Sequence, residues 1–295
     1  MKIIRLGMTE SGLLFLFYLL KNNLVNDLEI KKNITNIINS LTNWLYTTSG
    51  YYDKTVIGNY FNFNNLAINK NLFDFIDHLK ITVSNCDKTY LLFHDNRFIT
   101  ELFNKYKEKF INDYNIKNII ISNHLKFEDR LQEVFDNIKN KKVLVISSFD
   151  GLIKKQYENG NVYKIYEKFP SLITLETLKS PYCFFNNGPE NNYFETLNTM
   201  YIEISNKIRK KKINIVLLGC GVYGHMLTHK IHTELNKDAI YLGGYIQTLF
   251  GIKNERNNEH GDLNIDANKD NFWITVIPDE YKPPNYKLIE NGCYW

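Results

Sequence analysis

The stretch that most constrains the fold is residues 213–250, in which short apolar runs alternate with glycine turns and helical periodicity. Residues 213–218 form an apolar run rich in β-branched side chains, of the length of a buried strand. Residues 222–235 then carry apolar side chains at helical spacing, and residues 239–242 form a second short apolar run. The order of strand, turn, helix and strand predicts a Rossmann-like α/β unit with parallel strands.

A glycine-rich turn follows each of these two predicted strands. The first turn has G-x-G-x-x-G spacing and the second has a glycine pair: Gly219, Gly221, Gly224, Gly243 and Gly244. Glycine lets the main chain approach a ligand closely, and a helix N-terminus offers free N–H groups to a phosphate. The pattern therefore favours a phosphate-bearing ligand, and a turn that only serves packing remains the alternative.

A dinucleotide site is a poorer fit to the same residues. Such a site needs an acidic residue at the end of the second strand, where it holds a ribose hydroxyl. Here the second predicted strand ends in the sequence YLGG at residues 241–244, without a carboxylate. A dinucleotide-dependent oxidoreductase is therefore the less favoured alternative.

Elsewhere, predicted strands and helices also alternate. Further strands are expected at residues 2–6, 89–94, 118–122, 142–147 and 172–175. The main intervening helices are expected at residues 28–46, 53–79 (with a break at 62–65), 96–110, 127–138 and 193–208. This order predicts one α/β domain over residues 1–295, with a mainly parallel sheet flanked by helices and residues 252–295 as a tail that wraps it.

Polar residues fall where predicted strands meet the helices that follow them, which is the edge where open α/β sheets bind ligands. Arg5, Gly7 and Glu10 occupy the first such junction, and Asp150 occupies a later one. Each has an ordinary alternative. Arg5 can form a surface ion pair, Glu10 is favoured by the helix dipole, and Asp150 can cap its helix.

Three further residues are candidate ligand contacts. Asn186 and Asn187 precede a glycine in a turn-rich loop, so they are either turn formers or hydrogen-bond donors to a ligand. His225 follows the first glycine turn and is either a phosphate contact or a packed histidine. His229 shares its helix face at a spacing that zinc can use, but no third ligand is identifiable.

Composition excludes several classes of protein. The chain is 44% hydrophobic and 23% charged, as in ordinary globular proteins, and its net charge of +4 gives no basis for nucleic-acid binding. Its cysteines lie far apart, which argues against a disulfide scaffold and suits a reducing compartment: Cys86, Cys183, Cys220 and Cys293. The apolar run at residues 13–20 is too short to span a bilayer. We therefore expect a cytoplasmic protein without a membrane span.

Several segments together resemble proteins related to the GT-D-fold glycosyltransferases. They are residues 143–157, residues 219–256 and the terminal ENGCYW at residues 290–295. The sequence RLGMTE at residues 5–10 resembles the R-x-G-D-G-E signature of that fold. The resemblance covers nearly the whole chain, is weakest over residues 21–141, and points through ENGCYW to a subgroup of the family.

The resemblance implies a protein that takes a nucleotide-diphosphate sugar, such as a UDP sugar, and transfers the sugar to a glycan or another acceptor. Such chemistry needs a stabilised diphosphate and a carboxylate or imidazole near the sugar. Glu10, Asp150 and His225 are the catalytic candidates. The candidate nucleotide-sugar contacts are Arg5, Gly7, Asn186, Asn187, Gly219, Gly221, Tyr223, Gly224, Gly243, Gly244 and Gln247.

In the GT-D fold, the aspartate and glutamate of a D-x-E segment help to bind a divalent metal such as Mn²⁺ or Mg²⁺. The glutamate maps onto Glu10, but the aspartate maps onto Met8, whose thioether cannot ligate a hard cation. Either other carboxylates complete the metal site, or Arg5 and helix N-termini neutralise the diphosphate. A catalytically inactive binding protein on the same fold is the main alternative, and the aromatic tail could pack in a homodimer.

Overall fold

A computed structural model describes residues 1–54, 70–92, 96–122, 128–253 and 267–295. The break expected at residues 62–65, inside the expected helix 53–79, lies outside the described residues. Within those described, none of the helices combines the length and the apolar character that a bilayer-spanning segment requires.

The described strands form one seven-stranded sheet in which every strand pair is parallel. The strands are β1 (Lys2–Leu6), β2 (Lys88–Leu92), β3 (Ile119–Ser122), β4 (Lys142–Ser147), β5 (Thr174–Lys179), β6 (Ile215–Gly219) and β7 (Asp238–Tyr241). Their order across the sheet is β3-β2-β1-β7-β6-β4-β5. The predicted Rossmann-like α/β fold with a parallel sheet is confirmed.

Helices cover both faces of this sheet. They are α1 (Met8–Lys21), α2 (Leu28–Thr48), α3 (Lys70–Ser84), α4 (Arg97–Asp113), α5 (Glu128–Ile138), α6 (Asp150–Glu158), α7 (Asn161–Ile165), α8 (Tyr193–Lys211), α9 (Tyr223–Leu235) and α10 (Tyr245–Leu249). Asp27, Asn96 and Asn192 accept main-chain N–H bonds at the starts of α2, α4 and α8, which explains why those helices begin there.

Alternation along each strand sends side chains into two separate cores. In β6, Val216 and Leu218 belong to one core, which also contains residues of α1, α2, α3, α4, α8 and α9. Ile215 and Leu217 belong to the other core, which contains residues of α5, α6, α7 and α10. The strand is apolar throughout because both of its faces are covered. Helix α1 is buried over most of its length, because it packs on the sheet beneath α2, α3 and α4.

One predicted strand is wrong in its bounds, and one short helix was not predicted. The strand expected at residues 172–175 is β5, which begins two residues later and continues through a polar run to Lys179. It is an edge strand, so one face of it tolerates polar side chains; Glu176 pairs there with Lys207 and Lys211. The short helix α7 was not expected, because five residues after Gly160 are too few to show a helical period.

The amino-terminal edge of the sheet holds a set of paired charges. The ammonium group of Met1 and Nζ of Lys141 lie 2.6 and 2.7 Å from the two carboxylate oxygens of Asp238. Nζ of Lys2 lies 3.1 Å from Nδ1 of His229. Burial, followed by the positive charge of Lys2, lowers the pKa of His229 to about 4. At this edge the ammonium group of Met1 and Lys141 therefore share one carboxylate, while the buried Lys2 contacts an imidazole.

Candidate functional site

The carboxyl ends of β1 and β7 lie next to each other at the centre of the sheet. The helix that follows β1, α1, packs on one face of the sheet, while α10, which follows β7, packs on the other. Two adjacent parallel strands whose connections leave to opposite faces create a crevice at their carboxyl ends. We call this the β1/β7 crevice, and it is where an open α/β sheet binds a ligand.

Arg5 is a half-buried cation at this crevice. Its guanidinium group lies over the ring of Tyr245, 5.2 Å from the centroid. Its Nη1 lies only 3.0 Å from the position that a Cβ on Gly243 would occupy. Its Nε is buried without a hydrogen-bond partner, and within the described chain no carboxylate forms an ion pair with Arg5. The ordinary alternative, a surface ion pair, is therefore not what the structure has.

A second arginine, Arg130 on α5, lies near Arg5, because it lies over Tyr90, the register partner of Arg5 in the sheet. It was not among the residues predicted from the sequence. It is 1% exposed and lies over the ring of Tyr90, 4.3 Å from the centroid. Its Nη2 donates a long hydrogen bond, 3.4 Å, to the carbonyl oxygen of Tyr241, while its Nε and Nη1 have no partner. Burial lowers the pKa of Arg130 to about 10, and the positive charge of Arg5 acts in the same direction.

One signal in the sequence could have found Arg130. It lies four residues before Val134 and eight before Ile138, both of which are buried, so it occupies the apolar stripe of the predicted helix. A cation in such a stripe is buried with its charge, and buried charges need a partner. The candidates predicted from the sequence came from strand ends, glycine turns and loops, and none came from the apolar stripe of a helix.

Glu10 is a nearly buried carboxylate in the first turn of α1, with 6% of its surface exposed. A Cβ on Gly7 would lie 2.5 Å from Oε2 of Glu10, so the glycine makes room for the folded-back carboxylate. Burial, and after it the charge of Glu10, raises the pKa of Tyr241 above its ordinary value. Glu10, Tyr241 and Arg5 therefore share one environment at the crevice.

His225 is buried, with 1% exposure, and touches the same environment from α9. Its Nε2 lies 3.1 Å from the carbonyl oxygen of Arg5, and its Nδ1 lies 3.2 Å from that of Val222. Burial lowers its pKa, while the charge of Glu10 opposes this effect. These contacts favour the packed-histidine alternative, in which His225 ties α9 to β1 and positions Arg5.

His229, four residues further along α9, lies at the opposite edge of the sheet beside Lys2. The two imidazoles therefore do not face a common ligand. Among the described residues, no group of three or more His, Cys, Asp or Glu side chains is placed to hold a metal ion. Met8 packs against the apolar core rather than at an ion. The metal that the GT-D resemblance implies therefore stays a prediction.

The glycines of the first turn are explained by contacts within the chain. A Cβ on Gly221, whose φ is +56°, would lie 2.6 Å from the carbonyl oxygen of Ser49. That same oxygen accepts a hydrogen bond from the N–H of Val222 at 3.1 Å. A Cβ on Gly219 would lie 2.8 Å from the carbonyl oxygen of Gly243, and one on Gly224 would meet the ring of Tyr241. The first turn thus receives the end of α2.

Tyr223, in the same turn, is also a packing residue. Its ring is stacked on that of Tyr193, with centroids 4.8 Å apart, and its hydroxyl donates to the carbonyl oxygen of Gly50 at 3.2 Å. This explains its burial at the start of α9. Its predicted contact with a nucleotide sugar would require the chain around Gly50 to move away.

The second turn, in contrast, faces the crevice. Gly243 has a φ of +61° and contacts Arg5, as described above. Among the described residues, no acceptor is bonded to the main-chain N–H of Gly243 or Gly244. Gln247 is buried on α10, and its Nε2 donates to the carbonyl oxygen of Tyr294 at 3.0 Å. It therefore holds the tail beside this turn.

Asp150 lies in a second region of the same edge, at the carboxyl end of β4. This strand is three positions from β1, or roughly 14 Å at the usual strand spacing, so Asp150 does not join Arg5 and Glu10. Its charge contributes to the raised pKa values of Tyr182 and Tyr281, in which burial is the larger cause.

Aromatic side chains from a loop and from the tail surround Trp295 in that region. Their ring centroids lie 5.8 to 6.2 Å from that of Trp295. We call this the aromatic patch: Tyr182, Phe184, Tyr286, Tyr294 and Trp295. Asn187 follows Phe184 in the loop and is exposed, while the side chain of Asn186 lies outside the described residues.

Comparison of this chain with protein-family models, with curated proteins and with solved structures finds no match. The resemblance to GT-D-fold glycosyltransferases therefore stays a prediction, and the function is argued below from the geometry of the site.

Proposed function

We propose that this protein is a glycosyltransferase that moves a sugar from a nucleotide-diphosphate sugar to an acceptor hydroxyl. The observation that carries the proposal is the β1/β7 crevice, which has both the guanidinium group of Arg5, without an ion pair in the described chain, and the buried carboxylate of Glu10. A cation suits the diphosphate, and a carboxylate suits the reacting sugar and acceptor.

In the proposed reaction, the bond between the anomeric carbon and the β-phosphate oxygen breaks, and the acceptor oxygen bonds to that carbon. The bonding electrons leave with the nucleoside diphosphate, whose negative charge grows as the bond breaks. Arg5 and the N–H groups of Gly243 and Gly244 lie where such charge would be stabilised. Stabilisation of developing charge in a site shielded from water is a large contribution to catalysis.

Glu10 is the proposed general base. It accepts the proton that the acceptor hydroxyl loses, so the charges of the reaction balance without another reactant. Its position in the first turn of α1, over Gly7, holds the carboxylate at the crevice rather than in bulk solvent. Asp150 and the aromatic patch lie further along the same edge, where aromatic faces suit a base or a sugar ring.

Isothermal titration against UDP-, GDP-, dTDP- and CMP-linked sugars tests the proposal. The crevice predicts binding of at least one diphosphate-linked donor and weaker binding of the CMP sugar, which has a single phosphate. With the donor that binds, Glu10→Ala is expected to lower kcat about 100-fold or more and to change donor affinity little. Absence of binding to all donors, with and without Mn²⁺, contradicts the proposal.

One observation favours a second candidate, a nucleotide-sugar-binding protein without catalysis. Met8 stands where the GT-D signature has an aspartate, and it packs into the core. For such a protein, a donor binds but is neither transferred to an acceptor nor slowly hydrolysed. Release of free sugar from the bound donor, lost in Glu10→Ala, separates the two candidates without knowledge of the acceptor.

A further inference from the structure

Arg130 is a buried cation whose surroundings are incomplete in the free protein. Two of its nitrogens have no hydrogen-bond partner, and within the described chain no carboxylate pairs with it. A charge removed from water carries a desolvation penalty that only an opposite charge and well-formed hydrogen bonds offset. The face of Tyr90 attracts the cation but accepts few of its N–H groups.

The nearest acid along α5 is used by other groups. Glu133 lies one turn after Arg130, but its two oxygens accept from Nζ of Lys88 at 2.6 Å and from the hydroxyl of Tyr90 at 2.7 Å. Arg130 is therefore left without the partner that an adjacent helical turn would normally supply. The carboxylate of Glu133 is thus already bonded to Lys88 and Tyr90, and it does not form an ion pair with Arg130.

Several partly buried cations elsewhere in the described chain have carboxylate partners, whereas the buried Lys2 contacts the imidazole of His229. Lys88 pairs with Glu133, Lys141 with Asp238, and Lys207 with Glu176. Arg130 is more deeply buried than these three lysines. Arg5 on β1 is the register partner of Tyr90 on β2, and Arg130 lies over the ring of Tyr90, so the two arginines are neighbours. Neither guanidinium group forms an ion pair with a carboxylate in the described chain, and an anion would relieve this concentration of positive charge.

We infer that Arg5 and Arg130 together bind the diphosphate of the donor, with Arg130 supplying a second positive charge in place of a divalent metal ion. This inference rests on the proposed function for the identity of the anion. The guanidinium groups of Arg5 and Arg130 lie over the rings of Tyr245 and Tyr90, and these contacts restrict both groups before the anion arrives. Two guanidinium groups can each form paired hydrogen bonds to phosphate oxygens.

The test measures binding of inorganic pyrophosphate and of UDP in EDTA, by calorimetry, together with the Tm of each free variant. Arg130→Met is expected to weaken binding of both ligands at least about 30-fold, because a charged partner of the anion is lost. Its Tm is expected to equal or exceed that of the wild type, because an unpaired buried charge is removed. Arg209→Gln, an exposed arginine on the last turn of α8, is the matched control and should change neither quantity.

Arg130→Lys separates charge from geometry, since lysine keeps the charge but loses the planar pair of donors. It is expected to weaken pyrophosphate binding about 10-fold, which is less than the effect of Arg130→Met. A folded Arg130→Met or Arg130→Lys variant with wild-type affinity overturns the inference. An Arg130→Met protein that is unfolded or has a clearly lower Tm also overturns it, because that result assigns Arg130 to packing.

The outcome for the inference is distinguishable from the outcome for the proposed function. Pyrophosphate binding that depends on Arg130, without transfer or hydrolysis of any sugar donor, supports the anion site and contradicts glycosyl transfer. Sugar transfer that is unchanged in Arg130→Met supports the transferase and contradicts the role of Arg130. Dependence of the wild type on Mn²⁺ for pyrophosphate binding likewise contradicts a site made by two arginines.

Discussion

The two edges of the sheet differ in how their positively charged groups are paired. At the amino-terminal edge, the ammonium group of Met1 and the side chain of Lys141 both contact Asp238. At the carboxyl-terminal edge, Arg5 is half-buried and Arg130 is buried, and neither forms an ion pair with a carboxylate among the described residues. Under the proposed function, the amino-terminal edge stabilises the fold, while the carboxyl-terminal edge keeps positive charge available for a ligand.

The largest expected effect tests whether the first glycine turn belongs to the fold or to the ligand site. Gly221→Ala places a Cβ close to the carbonyl oxygen of Ser49 on a residue with positive φ. We expect the free energy of unfolding to fall by about 3 kcal/mol, with UDP affinity little changed in the folded fraction. Urea denaturation measures the first quantity and calorimetry the second. Weak UDP binding by a protein of normal stability would show instead that this turn contacts the ligand.

Asp238→Asn tests the amino-terminal edge, because it leaves two cations without their carboxylate. Those groups are roughly one-third exposed, so the loss is less than that for a fully buried pair. We expect the free energy of unfolding to fall by about 2 kcal/mol, with no change in the affinity for UDP. Asp279→Asn, at an exposed ion pair with Lys282, is the control and should leave Tm unchanged. A loss of UDP binding in Asp238→Asn would contradict the assignment of the amino-terminal edge to stability alone.

Gly243→Ala is the counterpart of Gly221→Ala in the second turn. Its new Cβ would lie 3.0 Å from Nη1 of Arg5, a flexible side chain that can shift. We expect a loss in stability of about 1 kcal/mol from the positive φ, and a UDP affinity about 10-fold lower because Arg5 moves. Thermal unfolding measures the stability of the two alanine variants, and calorimetry measures their affinity for UDP. If both substitutions lower the affinity equally, the assignment of the first turn to the fold and of the second turn to the ligand site is contradicted.

The smallest effect concerns pH at the amino-terminal edge. The pKa of His229 is about 4 in the folded protein, below its ordinary value of 6.5, so the unfolded chain binds more protons between these values. Stability from this group is complete above pH 6.5 and decreases as the pH falls toward 4. Because the ring is half-exposed, we expect about 1 kcal/mol over this window, and a shallower pH dependence in His229→Gln. An identical slope in both proteins contradicts the assignment.

The fold follows from local patterns that are strong in this chain. The apolar runs at β4 and β6, and the alternation of strands with helices, predict a parallel sheet because buried strands are apolar on both faces. Parallel strands also place residues that follow them at one edge, which is why Arg5, Glu10 and Gly243 could be grouped from the sequence. The bounds of β5 could not be predicted from the sequence. Its polar residues are tolerated because β5 is an edge strand, and the spacing of residues does not reveal an edge position.

The site was predictable only where it depends on residues next to strands. The approach of Ser49 to Gly221 joins residues far apart in the chain, so G-x-G-x-x-G spacing indicates a close contact without identifying its partner. Arg130 lies in the first turn of α5 and contacts the ring of Tyr90, so its burial depends on how α5 packs on β2. Long-range packing thus determines which of the two glycine turns lies next to Arg5.

The most direct test of the account is a crystal structure of the protein with UDP bound in the absence of metal. We expect the diphosphate in the β1/β7 crevice, with its oxygens about 2.8 Å from nitrogens of both Arg5 and Arg130. The loop that carries Ser49 should stay in place over Gly221. A diphosphate bound at Gly221 in place of Ser49, with Arg130 still unpaired, would contradict the account.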